Sequence, residues 1–183
     1  MKVLKVLGGV VALVAGVLVV GGVLLPDKIR LERSIEVNAP ACNVHELVAN
    51  QARFNEFSPW AKMDPSAKYE FSGPSYGVGA KQAWKGEKTG EGSMTITESV
   101  PCEKVVTALH FVGQGDAMAD WTFVESGGKT KVTWGFDGDA HGSMVARWFN
   151  LAMEPMMGPQ FESGLADMKK VVEAGPKVDI RGL

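Results

Sequence analysis

From Val6 to Leu25 the chain runs twenty residues without a charged or polar side chain, with Lys2 and Lys5 before the run and Pro26 after it. As a helix such a stretch covers about 30 Å, the thickness of a bilayer's hydrocarbon core, so the pattern predicts a membrane span over residues 1–25 followed by a linker over 26–33. A cleaved signal peptide is the alternative. Lys2 and Lys5 would form its positive region, with Val19 and Gly21 as a poor cleavage site, but the apolar run continues past them and no Ala-x-Ala follows. Gly8, Ala12 and Gly16 recur at every fourth position. That spacing lets two membrane helices approach closely and allows a homodimer, although glycine and alanine are common in membrane helices for other reasons.

Beyond the linker the pattern changes twice. Ser34 to Val37 alternates polar and apolar residues, Asn38-Ala39-Pro40 interrupts it, and Val44, Leu47 and Val48 then share one helical face. A second short helix over Arg53 to Phe57 is expected to stop at Ser58-Pro59-Trp60. From there the period is two. Tyr69/Phe71, Ala80/Gln82/Trp84, Met94/Ile96/Glu98, Val105/Thr107/Leu109/Phe111, Ala117/Ala119/Trp121/Phe123 and Val132/Trp134/Phe136 occupy alternate positions. Glycine- and proline-bearing turns separate these six runs, and such short connections join antiparallel neighbours. Ser143 to Ala174 returns to helical spacing, with Phe161, Leu165, Met168 and Val172 as a stripe. Pro155 and Pro159 predict a break, with the main helix starting near Gln160.

These elements predict an α+β domain over residues 34–175 with a short tail over 176–183. A curved antiparallel sheet, one N-terminal strand plus a six-strand meander, grips a long C-terminal helix, and two small helices follow the first strand. Curvature leaves a gap between sheet and helix. The candidate walls are Trp60, Tyr69, Phe71, Trp84, Met94, Ile96, Leu109, Phe111, Trp121, Phe123, Trp134, Phe136, Met153, Met157, Phe161 and Leu165, which equally suit a filled core. Methionines on the covering segment adapt to irregular shapes.

Composition narrows the function. At 45% apolar and 22% charged the chain is that of a globular protein, not a disordered one. The formal charge is −2, and without Lys2 and Lys5 the remainder carries −4. A nucleic-acid partner is thereby disfavoured, since binding one needs a concentrated positive surface. Three scattered histidines and two cysteines make no cluster at metal-ligand spacing, and no cofactor is implied. Cys42 and Cys102 would pair only in an oxidising compartment, and spacing leaves their geometry open.

Gly73-Pro-Ser-Tyr-Gly77 satisfies the string G-x-S-x-G, yet it lies between two strands with no helix after it, so Ser75 is not read as a nucleophile. Glu98 is the one carboxylate on the inward register. An acid in an apolar cavity has its pKa raised, which makes Glu98 the single acid/base candidate, with solvation at a strand end as the plainer reading. His45, His110 and His141 stand on a helix, an outward strand position and a loop, and are read as structural or solvated.

Several stretches resemble the polyketide cyclase/dehydrase group of the START-like (SRPBCC, helix-grip) superfamily: Ser34 to Pro40, Phe57 to Trp60, Phe71 to Pro74, Gly77 to Ala80, Gly90 to Pro101 and Phe161 to Leu165. The resemblance implies the helix-grip fold and a hydrophobic cavity between sheet and terminal helix. It does not imply one reaction, since lipid carriers, hormone and allergen-type binders, aromatases and cyclases share the fold. The leading expectation is therefore a membrane-tethered binder of an apolar small molecule or lipid. A cyclase-, dehydrase- or hydrolase-like enzyme using Glu98, with Tyr69 or Trp60 orienting a carbonyl, and a ligand-free interaction module are the alternatives. The expected location is a bacterial inner membrane, crossed once. Charges on the two sides of the span leave the orientation open, with the periplasmic side favoured for the domain.

Overall fold

The computed structural model describes residues 2–175, with side chains from Leu7 onward; the expected tail over 176–183 lies outside the described residues. The chain opens with helix α1 (Lys2–Leu24), whose large apolar side chains from Leu7 onward project into open space. Strand β1 (Lys28–Val37) follows almost directly. It begins six residues before Ser34, so most of the expected linker is strand. Lys28 to Arg33 looks too charged for a strand, but its alternation is the reason it is one. Ile29 and Leu31 turn inward while Arg30, on the outer face, pairs with Asp120, Asp137 and Glu32 of the same sheet.

Three small helices fill the crossover, where two were expected: α2 (Ala41–Val48), α3 (Gln51–Phe54) and α4 (Pro59–Met63). Asn50 caps α3 by accepting from the amides of Ala52 at 3.1 Å and Arg53 at 3.2 Å. Pro59 stops the preceding turn but also starts α4, because a first-turn residue has no helical partner for the missing N–H. The meander then runs through β2 (Lys68–Ser72), β3 (Lys81–Gly86), β4 (Gly90–Val100), β5 (Lys104–Phe111), β6 (Gly115–Ser126) and β7 (Lys129–Asp139). The sheet has seven strands in the order β1-β7-β6-β5-β4-β3-β2, all neighbours antiparallel. This is the helix-grip arrangement that the alternation implied.

The covering helix α5 (Met144–Ala174) is continuous. The expected break at Pro155 and Pro159 does not occur. Each proline removes one intrahelical bond, leaving the carbonyls of Leu151 and Pro155 without those donors, but both prolines are solvent-exposed. Both ends of the helix are fastened. Phe161, Leu165, Met168 and Val172 are buried against the sheet, and Arg33 of β1 reaches Glu154 and Glu162 on either side of the prolines at 2.5 and 2.9 Å. At its start Ser143 accepts from the Ala146 amide.

Cys42 in α2 and Cys102 in the β4–β5 turn are disulfide-bonded across 60 residues of sequence, which decides the pairing left open by spacing. His45, one turn along α2, is 2% exposed. Its Nε2 lies 2.9 Å from Ser99 Oγ and its Nδ1 2.7 Å from Tyr76 Oη, so a neutral ring donates through one nitrogen and accepts through the other. Burial pushes its pKa down, favouring that neutral form.

Candidate functional site: an aromatic cavity between sheet and helix

The inward faces of β3 to β7 and one side of α5 leave a cavity of about 100 Å³. Its floor is a ring stack. Trp121 and Trp134, register partners on β6 and β7, lie with centroids 4.3 Å apart, and Phe161 of α5 covers Trp134 at 4.1 Å. Trp60 of α4 meets Trp134 edge-on at 5.6 Å, and Trp84 meets Phe111 at 5.8 Å. These offset and edge-to-face arrangements suit aromatic quadrupoles and stiffen the walls.

The period-two register places most candidate residues on this wall. Trp60, Tyr69, Trp84, Met94, Leu109, Phe111, Trp121, Trp134, Phe136, Met157 and Phe161 line the cavity. Ile96, Phe123 and Leu165 are buried in the core away from it, and Met153 packs against that core. Phe71 departs furthest. It shares a face with Tyr69 but is 50% exposed on the edge strand, where neither α5 nor a further strand covers it.

Glu98 is not in the cavity. The β4–β5 register shifts between Ile96 and Glu98, and this bulge turns the rest of β4 over. Ser99 thus faces inward toward His45, while Glu98 is exposed and pairs with Lys104 at 3.0 Å. The acid/base role assigned to it from alternation falls with that shift.

The wall also carries polar groups that were not singled out from sequence: Asn55, Ser58, Gln82, Thr89 and Thr107. Gln82 and Thr107 sit in the same alternating register as their aromatic neighbours, which was the available signal, whereas Asn55 and Ser58 come from the α3–α4 segment, where no periodicity points inward. Gln82 is 2% exposed and donates through Nε2 to Asn55 Oδ1 at 3.1 Å. Its Oε1 and the Nε1 of Trp134 have no hydrogen-bond partner among the described residues.

Asp64 fixes the adjoining corner. Its Oδ2 accepts from the amides of Lys88 at 2.9 Å and Thr89 at 3.3 Å, and Oδ1 from Ser66 at 2.8 Å. The amide donors hold its carboxyl at a pKa of about 2, so it stays a carboxylate and holds the β3–β4 turn above Trp84. Desolvation pushes the Tyr69 phenol up, keeping it neutral at the cavity rim. Among the described residues no group of three or more His, Cys, Asp or Glu side chains is placed to hold a metal ion.

The cavity has a direction. Along β5, Val105 and Thr107 are buried while Leu109 and Phe111 are partly open, and along β6 Trp121 and Ala119 are buried while Ala117 is partly open. Through the register Leu109 faces Ala117, Ala117 faces Gly138 and Gly138 faces Ile29. The lining residue Leu109 thus shares a register row with Ile29, near the end of the sheet at which α1 joins it.

Residues 28–173 match the family described as polyketide cyclase / dehydrase and lipid transport, and the chain belongs to that family. Its fold is similar to several solved structures. The KanY protein is 16% identical, with a TM-score of 0.60, and the match covers 80% of this chain and 99% of that one. The di-domain ARO/CYC BexL from the BE-7585A biosynthetic pathway is 18% identical with a TM-score of 0.58, covering 86% of this chain and 54% of BexL. Truncated norcoclaurine synthase from Thalictrum flavum is 15% identical with a TM-score of 0.55, covering 81% of this chain and 96% of that one. No curated protein matches. At these identities the similarity defines the fold.

Proposed function

We propose that this protein is a membrane-anchored carrier or receptor for a hydrophobic small molecule or lipid that carries one oxygen function. The observation that carries the reading is the cavity itself, ringed by aromatic side chains, two of whose lining residues carry a buried polar atom without a partner among the described residues, Gln82 Oε1 and Trp134 Nε1. An unmade buried hydrogen bond costs about 1–3 kcal/mol. A ligand hydroxyl donating to Gln82 Oε1, or a ligand oxygen accepting from Trp134 Nε1, removes that cost, which an all-hydrocarbon ligand would not.

Energetics favour the same combination. Burying ten methylenes yields about 8 kcal/mol, the size of a micromolar affinity before association costs of about 4–15 kcal/mol. Polar partners or a preorganised wall must supply the remainder. The resting cavity of about 100 Å³ is smaller than the roughly 300–1,000 Å³ usual for ligand sites, so entry requires side chains at the mouth to swing. The half-buried Met157, Trp60 and Phe111 are placed to do so, and methionine has the torsional freedom for it.

Two observations support α1 as a retained anchor. It offers an eighteen-residue span, Leu7–Leu24, long and apolar enough to cross a membrane and scarcely buried by the rest of the chain. Side chains of α5 also grip its last turns, as detailed below. The Cys42–Cys102 bridge favours an oxidising compartment for the domain, hence the periplasmic side of a bacterial inner membrane. Single-pass topology and a dimer through Gly8, Ala12 and Gly16, whose flanks are open, complete the reading.

Mass spectrometry of the chain purified from its native host, comparing the intact protein with an organic extract, tests the function. A stoichiometric apolar compound bearing a hydroxyl or carbonyl is expected, with weaker retention in Gln82→Leu. An empty protein that also fails to bind an apolar fluorescent probe would overturn the reading.

A further inference from the structure

The start of α5, from Met144 to Met156, presents an unusual face. Val145 is 81% exposed, Leu151 and Met156 58% each, Phe149 49% and Met144 44%. From Met144 to Met153 the only charged residue is Arg147. That charge is already engaged: its guanidinium donates to both carboxylate oxygens of Asp27 at 2.8 Å and to the carbonyls of Gly22 and Val23 at 2.9 and 3.1 Å. Arg147 in turn holds the Asp27 carboxyl below its usual range. Asn150 donates to the Asp27 carbonyl at 3.0 Å, so the start of α5 is bolted to the end of α1.

The bolt sets a depth. Trp148 Nε1 donates to the carbonyl of Leu18 at 2.9 Å, and its ring lies where a side chain on Gly21 would otherwise stand. Leu18 precedes the end of the apolar span, Leu24, by six residues, or about 9 Å of helix. When Leu7–Leu24 spans the hydrocarbon core, the Trp148 ring is held about that far inside its boundary. Helices that lie in a membrane surface bury their apolar face by roughly 5–10 Å, and tryptophan is enriched at that level.

We infer that the start of α5, from Met144 to Met156, lies in the surface of the same bilayer that holds α1, with Val145, Phe149 and Met156 among the acyl chains at the headgroup boundary. The inference rests on reading α1 as a membrane anchor. Clamp geometry carries it beyond a mere exposed apolar face, because α5 cannot leave the boundary without breaking its bonds to α1. A groove between the two helix ends leads toward the sheet, its apolar lining of Leu25, Pro26, Ile29, Leu151 and Met153 bordered by Arg30, Arg147, Asn150 and Glu154. Ile29, in this groove, lies in the register row that reaches Leu109 on the cavity wall.

The test uses the full chain, disulfide intact, reconstituted into vesicles of phosphatidylethanolamine and phosphatidylglycerol. Single thiols introduced by Phe149→Cys, Leu13→Cys and Lys131→Cys are labelled with an environment-sensitive fluorophore and quenched with lipids brominated on the acyl chain. Residue 131 lies on the outer face at the far end of the sheet and reports the aqueous baseline. The expected result is several-fold stronger quenching at 149 than at 131, with a blue-shifted emission, and strong quenching at 13. Quenching at 13 with 149 no better than 131 overturns the inference and leaves the anchor standing. No quenching at 13 overturns both. A blue shift at 149 without lipid quenching assigns the face to a second copy and also overturns it. Val145→Cys, at the most exposed position, repeats the measurement where substitution disturbs no packing.

Discussion

Replacing Gly164 by alanine tests whether the ring stack is as tightly held as its geometry indicates. A β-carbon there would stand 2.8 Å from Trp134 Cζ3 and 3.1 Å from Pro59 Cδ. Helix propensity alone would favour the change by about 1 kcal/mol. Overpacking a filled core costs about 1–3 kcal/mol when the neighbours cannot yield. Trp134 cannot, being sandwiched between Trp121 and Phe161 at 4.3 and 4.1 Å. The net expectation is a loss of about 1 kcal/mol, or about 2–4 °C in Tm for a chain of this size. Gly158→Ala is the internal comparison. Its β-carbon would meet only Arg33 Nη2 at 2.6 Å, the far end of a flexible side chain. Loss of that partly exposed ion pair is worth about 0–1 kcal/mol, which the propensity gain offsets. Thermal unfolding of the full chain in detergent, followed by near-ultraviolet circular dichroism, compares the two variants directly. Because the strain falls on Trp134, which is part of the cavity wall, weaker binding of an apolar fluorescent probe should accompany the lower Tm. Equal Tm values for the two variants would refute the claim of a rigid wall.

Removing the Cys42–Cys102 bridge as a double serine variant should cost about 4 kcal/mol of loop-closure stabilisation for the 60-residue separation, measured as a lower denaturation midpoint; an unchanged midpoint on reduction would count against it. Glu98→Gln should leave probe binding unchanged and stability within about 0.5 kcal/mol, since it breaks only an exposed pair with Lys104. His45 is held neutral by burial, so its folded pKa lies below the ordinary value of 6.5. The unfolded chain therefore binds the extra proton first: stability is full above about pH 6.5 and is lost as pH falls toward the folded pKa. Unfolding midpoints measured from about pH 7.5 downward, across the ordinary histidine range, should show this slope, and His45→Gln should flatten it.

Much of this fold is legible because a half-buried antiparallel strand writes its burial into alternate residues. Trp84, Leu109, Trp121 and Trp134 show this, and their register puts them on one wall. The same rule misplaces Glu98, because a bulge at Thr97 is a one-residue insertion in the pairing that leaves no mark in the alternation itself. Phe71 illustrates a second blind spot, since direction along a strand is visible but coverage by a distant helix is not. The β1 start was obscured by charges whose partners, Asp120 and Asp137, lie about a hundred residues away. Pro155 and Pro159 obey a local rule that tertiary fastening overrides, and the Asp64 anchor and the Cys42–Cys102 bridge depend on loops meeting in space.

The pairing of β1 with β7 carries a consequence for biogenesis. Lys28 is matched to Asp139 and Val37 to Thr130, so among the described residues the first strand made has the last as its only strand partner. At synthesis rates of roughly 5–20 residues per second, β1 waits about 5–20 s for that partner to emerge. During that interval Leu31, Ile35 and Val37 stand with an unpaired backbone edge alongside them. Contacts so distant in sequence also make the final closure slow. The charges of Lys28, Arg30, Glu32, Arg33 and Glu36, interleaved with those apolar positions, therefore have a role before the native state exists: they keep a waiting strand soluble and discourage its open edge from pairing with other chains.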